Sequence, residues 1–173
     1  MQGSLLEHSK QSGLYTPEQR QRRDASPWTL VQAVLAPLQF VVFLVSLALV
    51  LRYLSVGEGF AVATASVVLK TLVLYTIMVT GALWERDVFG QYLFAGPFFW
   101  EDVVSMLVIF THTAYLAVLF TGILGPAGQM FIALIAYATY VINAVQFVLK
   151  LRQARIESSA ASAEAALAFG ASK

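Results

Sequence analysis

Polar side chains within otherwise apolar stretches are the first sign of chemistry in this chain of 173 residues. A charged side chain at the centre of a bilayer costs about 2.5 to 3.5 kcal/mol on insertion scales, so each one needs a partner or a function. Lys70 and His112 both fall near the middle of an apolar stretch, which predicts a shared pocket between antiparallel neighbours. The other such residues are Gln39, Asn143 and Gln146.

A purely structural role for both residues is an equally weighted alternative. Lys70 can extend its ammonium toward the interface, or hydrogen-bond to Gln39, Asn143 or a backbone carbonyl. His112 can act as a neutral hydrogen-bonding group between helices. Residue type and position alone do not decide between these roles and a ligand pocket.

Carboxyl groups form a second set of candidates. Glu101, Ser105 and His112 are separated by 4 and 7 residues, which places them along one face of a helix at about 100° per residue. Asp102 lies in the same first turn, and Glu85 precedes the group in the chain. Acids at a helix N-terminus also complement the helix dipole, so this pattern by itself is weak evidence for catalysis.

The segment between the acids is rich in aromatic residues. Acids flank it on both sides, and a Gly96-Pro97 turn lies within it. An interfacial belt uses Trp and Tyr, whereas four Phe and this turn favour a lid folded back against the membrane helices. We therefore predict a mostly apolar pocket with a few polar groups, suited to a large planar ligand. The aromatic residues are Trp84, Phe89, Tyr92, Phe94, Phe98, Phe99 and Trp100.

The elements that position these residues must be membrane helices. The chain is 58% apolar and 12% charged, with a mean hydropathy of +0.71, which excludes an ordinary water-soluble domain. Four stretches reach the roughly 20 residues that span a bilayer: residues 29–54, 60–84, 101–120 and 129–149. The predicted fold is all-α, a polytopic antiparallel four-helix transmembrane bundle with an aromatic interfacial segment between helices 2 and 3.

Three regions follow from this pattern: a polar arm (1–26), a transmembrane domain (27–152) and a tail rich in Ala and Ser (153–173). The long apolar stretches begin only after Trp28, so the arm is not a cleavable signal peptide. Lys and Arg concentrate on one side of the bundle, which predicts that both termini are cytoplasmic. We expect the tail to be disordered or weakly helical.

Missing residue types exclude several functions. The chain has no Cys and only two His, which removes thiolate chemistry and three-histidine zinc sites. It has no Gly-rich dinucleotide motif, no P-loop and no pair of Glu-x-x-His motifs. A net charge of +1 gives no reason to expect nucleic-acid binding. Acid–base chemistry is what remains.

Several long motifs resemble the vinyl bacteriochlorophyllide hydratases of bacteriochlorophyll biosynthesis. The resemblance covers about residues 14–152. The motifs are Leu14-Tyr15-Thr16-Pro17-Glu18, residues 28–32 with 35–40, the segment from Trp84-Glu85 to Trp100-Glu101-Asp102, and His112-Thr113-Ala114-Tyr115.

The resemblance implies that water adds, without a cofactor, to the C3 vinyl group of chlorophyllide a or a related bacteriochlorophyllide, giving a 1-hydroxyethyl group. It also implies a bacterial inner or intracytoplasmic membrane, with the pigment, water and lipid as partners. A homo-oligomer or an association with other pigment-biosynthesis enzymes is compatible with it.

We assign roles within that reaction as hypotheses. Glu101 or Asp102 is the general acid, and Glu85 or its neighbour positions water. His112 is an axial ligand to the substrate magnesium or a proton relay, and Lys70 pairs with a substrate carboxylate or carbonyl. The residues expected to hold the macrocycle are Trp84, Phe89, Gln91, Tyr92, Phe98, Phe99 and Trp100.

Two other classes of protein compete with an enzyme. A non-catalytic pigment-binding or assembly subunit of a photosynthetic complex would also use aromatic residues and one intramembrane His, but it would not need clustered acids. A small transporter has less support, because the four spans show no internal repeat and no paired broken helices.

Overall fold

The computed structural model describes residues 14–171. It contains five α-helices and a single 3₁₀ turn, which spans Gly96–Phe98. Four of its helical segments are long and apolar enough to cross a membrane. The predicted all-α bundle with four spans is therefore confirmed. The helices are α1 (Pro17–Ala25), α2 (Pro27–Val56), α3 (Phe60–Phe89), α4 (Phe99–Thr121) and α5 (Pro126–Ala171).

The polar arm contains the short helix α1. Thr16 caps it: its hydroxyl accepts a hydrogen bond from the backbone N–H of Gln19, and the Gln19 side chain accepts one from the backbone N–H of Thr16. This reciprocal cap satisfies N–H groups that the first helical turn leaves free. Residues 1–13 of the arm lie outside the described residues.

The helices extend beyond the predicted spans at two places that matter for function. Helix α3 continues to Phe89 and ends at Gly90, whose φ of 82° suits glycine. Glu85 and Phe89 therefore lie on a helix, and the connection to α4 is shorter than the predicted lid. Helix α5 continues through the Ala-rich tail, in keeping with the high helix propensity of alanine.

The four long helices pack as two close pairs, α2 with α3 and α4 with α5. The pairs touch each other over much smaller areas, so a seam runs between them. Val50 and Val67 from one pair and Met130 from the other contribute to the buried core. Many of the other large apolar side chains point outward, as expected where lipid is the solvent.

Candidate active site

Two carboxyl groups meet where the α3–α4 connection folds back on the bundle. Glu85 lies in the last turns of α3 and Asp102 in the first turn of α4, with exposed fractions of 5% and 3%. The backbone N–H of Phe94 donates to Asp102 Oδ2 at 2.6 Å, and the next N–H, of Ala95, donates to Glu85 Oε2 at 3.2 Å. Consecutive N–H donors thus hold the two carboxyl groups side by side at one turn.

Contact between these carboxyl groups has a consequence for their protons. A carboxylate has only acceptors, so these neighbouring acids can hydrogen-bond to each other only when the pair holds a proton. Two like charges at this distance would also repel each other. The pair can therefore donate and accept a single proton.

The turn held by these acids has an unusual backbone. Phe94 has a φ of 62°, in the left-handed region that a bulky side chain rarely adopts. Such a conformation persists only when its surroundings fix it, and the bond from the Phe94 N–H to Asp102 does so. The acids therefore position the turn in addition to any chemical role.

The predicted aromatic lid divides into a buried part and an exposed part. Phe98 is buried and contacts Trp84 edge to face, with ring centroids 5.6 Å apart, and Phe89 at 5.8 Å. Gln91 is exposed, and its side chain bonds only to the Leu93 carbonyl at 3.2 Å. The exposed aromatic residues are Tyr92, Phe94, Phe99 and Trp100.

Glu101 has a different environment from its neighbour Asp102. Its carboxylate forms an ion pair with Lys150 of α5 at 3.1 Å, and the Lys150 ammonium lies 5.7 Å from the Phe98 ring centroid. Sequence reasoning treated Lys150 only as a charge that sets orientation. Its position immediately after the fourth predicted span, at the end of the bundle that also holds the acids, was the available signal.

Tyr15 is a second residue that sequence reasoning left without a role, although it lies in one of the matching motifs. Its ring stacks on Phe89 at 5.9 Å and lies 6.3 Å from Phe98, so the arm covers the aromatic cluster. Burial raises the pKa of the Tyr15 hydroxyl to about 12, against the opposing effect of the Arg23 guanidinium beside it. Tyr15 is therefore neutral under ordinary conditions.

A second polar cluster lies near the middle of the bundle. Lys70 and His112 are both 0% exposed, and each lies 6.0 Å from the Tyr137 ring, measured from the ammonium and from the imidazole centroid. The Lys70 ammonium also lies 3.7 Å from the centroid of the Tyr140 ring. The structure thus brings Lys70 and His112 together, as their positions near the middle of two apolar stretches predict. We call the buried polar residues Lys70, His112 and Gln39 the central cluster.

Several polar atoms of the central cluster lack hydrogen-bond partners among the described residues. They are the Lys70 ammonium, His112 Nε2 and both amide atoms of Gln39. His112 Nδ1 lies 2.8 Å from the Val108 carbonyl oxygen, which can only accept, so Nδ1 carries a proton. Neutral His112 therefore has its free lone pair on Nε2, an arrangement common in metal-ligating histidines.

Comparison with known proteins identifies the family. The family model described as 2-vinyl bacteriochlorophyllide hydratase matches residues 15–153. This chain belongs to that family. It is 65% identical to the 2-vinyl bacteriochlorophyllide hydratase of Rhodobacter capsulatus over 154 residues, 88% of this chain and 89% of the relative. It is 68% identical to the Cereibacter sphaeroides enzyme of the same name over 149 residues, 86% of this chain and 92% of the relative. No solved structure matches it.

The two polar clusters of this family member are separated along the bundle. His112 follows Asp102 by ten positions, and Glu85 follows Lys70 by fifteen. At a rise of 1.5 Å per residue these steps are about 15 Å along α4 and about 22 Å along α3. A Ser105–Asn143 hydrogen bond of 3.0 Å lies between the clusters. Asn143 is thereby occupied and does not bind Lys70.

Proposed function

We propose that this hydratase family member adds water to a vinyl substituent of a bacteriochlorophyllide in the membrane, and that the Glu85–Asp102 pair transfers the protons. Family membership supports the reaction class. One structural observation supports the assignment of residues: two carboxyl groups share a buried contact beneath the aromatic turn.

Hydration of a vinyl group requires a proton, a water molecule and a place to return a proton. Protonation of the terminal vinyl carbon forms a C–H bond and leaves a cation on the adjacent carbon, which the macrocycle stabilises. Water forms a C–O bond to that carbon and then loses a proton. The neutral carboxyl of the pair donates the first proton, and the resulting carboxylates accept the second. The pair returns to its starting state and no cofactor is consumed.

The contacts favour Asp102 over Glu101 as the partner of Glu85 in this chemistry. Glu101 is ion-paired with Lys150, and an ion pair requires an ionised carboxylate. Its role in our proposal is to hold α4 against α5. Glu85 and Asp102 touch each other and the backbone of the turn, without a cation bonded to either among residues 14–171.

The exposed aromatic residues are proposed to receive the pigment. The Phe94 and Phe99 rings are 5.8 Å apart, and the Phe99 and Trp100 rings 5.5 Å apart. Together they form an apolar platform beside the acids. A planar, amphipathic tetrapyrrole partitions to the same interfacial level of the membrane as Trp and Tyr side chains. His112 is the candidate ligand for the magnesium of that substrate, through its Nε2 lone pair.

We also propose that the acids face the cytoplasm. An even number of spans places the two ends of the bundle on one side of the membrane. Arg86, Lys150 and Arg152 lie on that side, in agreement with the enrichment of positive charge in cytoplasmic segments.

The test compares Glu85→Gln and Asp102→Asn with the wild type at matched membrane abundance, using vinyl bacteriochlorophyllide without nucleotide or reductant. Wild type should yield a product heavier by one water. Each variant should lose about 100-fold or more in initial rate, the scale of general acid–base catalysis. Glu58→Gln, at an exposed position in the α2–α3 connection, is the matched control.

Full hydration rates in both carboxyl variants would contradict the role of the pair. Pigment that the wild type binds but returns unchanged would favour a non-catalytic pigment-binding subunit.

A further inference from the structure

The described part of the polar arm is fastened to the bundle at both of its ends. At one end, the backbone N–H of Leu14 donates to Glu157 Oε2 of α5 at 2.8 Å. At the other end, the Ser26 hydroxyl donates to Asp87 Oδ2 of α3 at 2.8 Å. Residues 14–26 therefore cross from the extension of α5 to the end of α3, and we call them the strap.

Tyr15 is the residue of the strap that packs into the aromatic cluster. It is 9% exposed and shares a buried cluster with Val88 and Phe98, against which Phe89 also packs. The Phe98 ring in turn stacks on Phe147 of α5, with ring centroids 6.4 Å apart. Tyr15 thus completes a cluster that joins α3, the connecting turn and α5.

This cluster adjoins the backbone that orients the carboxyl pair. The Phe98 N–H donates to the Ala95 carbonyl at 2.8 Å, and the Ala95 N–H donates to Glu85. Phe89 lies one helical turn beyond Glu85 on α3. Contacts that fix Phe98 and Phe89 therefore also limit the movement of the Ala95 donor and of Glu85 itself.

We propose that Tyr15 is a positioning residue for the hydration reaction, held in place by the strap. It acts through Phe89 and Phe98 on the turn that orients the carboxyl pair. The Tyr15 ring makes these contacts, so phenylalanine should be able to replace it. This inference rests on the proposed function for the chemical role of the pair.

Hydration kinetics at matched membrane abundance, below the unfolding midpoint of every variant, test this role. Tyr15→Ala should lower kcat about 10- to 100-fold, the scale of a small misplacement of catalytic groups, while KM changes less than about threefold. Tyr15→Phe should keep kcat within about twofold of the wild type. Phe120→Ala is the matched control, because it removes an aromatic ring that is 81% exposed at the far end of α4.

Two further variants separate positioning from a general loss of folding. Glu157→Ala removes the acceptor of the Leu14 N–H and leaves the aromatic cluster intact, and it should lower kcat by a smaller factor, about fivefold. In Asp102→Asn the pair is already disabled, so adding Tyr15→Ala should cost no more than about twofold further. Multiplying losses would show a general structural defect and would contradict positioning.

A reporter thiol tests the strap without any hydration. The chain has no Cys, so Val88→Cys carries a single thiol, at a position that is 0% exposed within the Tyr15 cluster. A maleimide should label this thiol faster when Tyr15→Ala or Glu157→Ala is added, because each change favours local opening of the strap.

Wild-type kcat in Tyr15→Ala, equal losses in Tyr15→Ala and Tyr15→Phe, or unchanged labelling of Val88→Cys would overturn the inference and leave the proposed function standing. A wild type that binds the vinyl pigment without hydrating it, while labelling still depends on Tyr15, would overturn the proposed function instead.

Discussion

The two polar clusters in the seam differ in how their hydrogen bonds are satisfied. Near the α3–α4 turn, Glu85 and Asp102 accept hydrogen bonds from consecutive backbone N–H groups. In the central cluster, Lys70 and Gln39 lack hydrogen-bond partners within residues 14–171. A satisfied cluster is preformed and fixes geometry, whereas an unsatisfied buried cluster gains stability when a ligand arrives. In our proposal the chemistry belongs to the satisfied cluster.

The largest expected effect comes from removing both carboxyl groups. Because Glu85 and Asp102 act on one shared proton, the double variant Glu85→Gln/Asp102→Asn should lose no more than about tenfold beyond the worse single variant. Each single loss should itself be about 100-fold or more. Initial hydration rates at saturating pigment measure this. Independent, multiplying losses would show that the acids do not work as a unit.

Replacement of His112 should affect binding more than chemistry. His112→Gln removes the Nε2 lone pair that we propose as a magnesium ligand, and we expect the apparent KM to rise about tenfold while kcat changes less. Absorption spectra of the bound pigment should shift as the axial ligand is lost. The matched probe is the magnesium-free pigment, for which wild type and variant should bind equally. A loss of equal size with that pigment would contradict ligation.

The Glu101–Lys150 ion pair offers a test of stability within the first cluster. Lys150→Gln leaves the largely buried Glu101 carboxylate without its cation and should destabilise the fold by about 1 to 3 kcal/mol. The double variant Glu101→Gln/Lys150→Gln should recover most of that loss, because neither charge is then left unpaired. Thermal unfolding in detergent measures both. An unchanged Lys150→Gln midpoint would show that the pair contributes little.

Removing the charge of the central cluster should change the stability of the protein in the opposite direction. Lys70→Met replaces an unpartnered buried ammonium with an apolar side chain of similar shape, and we expect the pigment-free protein to gain about 1 to 3 kcal/mol of stability. Thermal unfolding without pigment measures the gain, with Thr71→Val as the reference. A less stable Lys70→Met protein would mean that the ammonium has a stabilising partner.

The smallest effect concerns the arm that covers the aromatic cluster. The folded-state pKa of Tyr15 is raised from 10.0 to about 12, so its contribution to stability is complete below about pH 10 and is lost as the pH rises through about 12. Tyr15→Phe cannot ionise and should lose less stability across that window. Unfolding midpoints of both proteins between pH 9 and 12 test this. Parallel curves would contradict the burial of Tyr15.

Apolar length made the four spans predictable, because a bilayer requires about 20 consecutive apolar residues whatever their partners. Lys70 and His112 could be placed together for a related reason, since both occupy the middle of a span. The contact between Glu85 and Asp102 depends on the backbone of the Phe94–Ala95 turn, which local residue preferences do not specify. Its left-handed Phe94 runs against those preferences.

The ion pair between Glu101 and Lys150 was also beyond sequence reasoning. It depends on how α5 is rotated about its axis relative to α4, and an apolar helix with little amphipathic character leaves that rotation undetermined. Family membership, by contrast, followed from long motifs that need no knowledge of packing, and it is confirmed.

Helix α5 is far longer than the membrane is thick. Its 46 residues correspond to about 70 Å at 1.5 Å per residue, against a hydrocarbon core of about 30 Å. Roughly half of it therefore stands clear of the lipid, on the side where the Leu14 N–H bonds to Glu157. This extension thereby ties the start of the described chain to its far end outside the membrane.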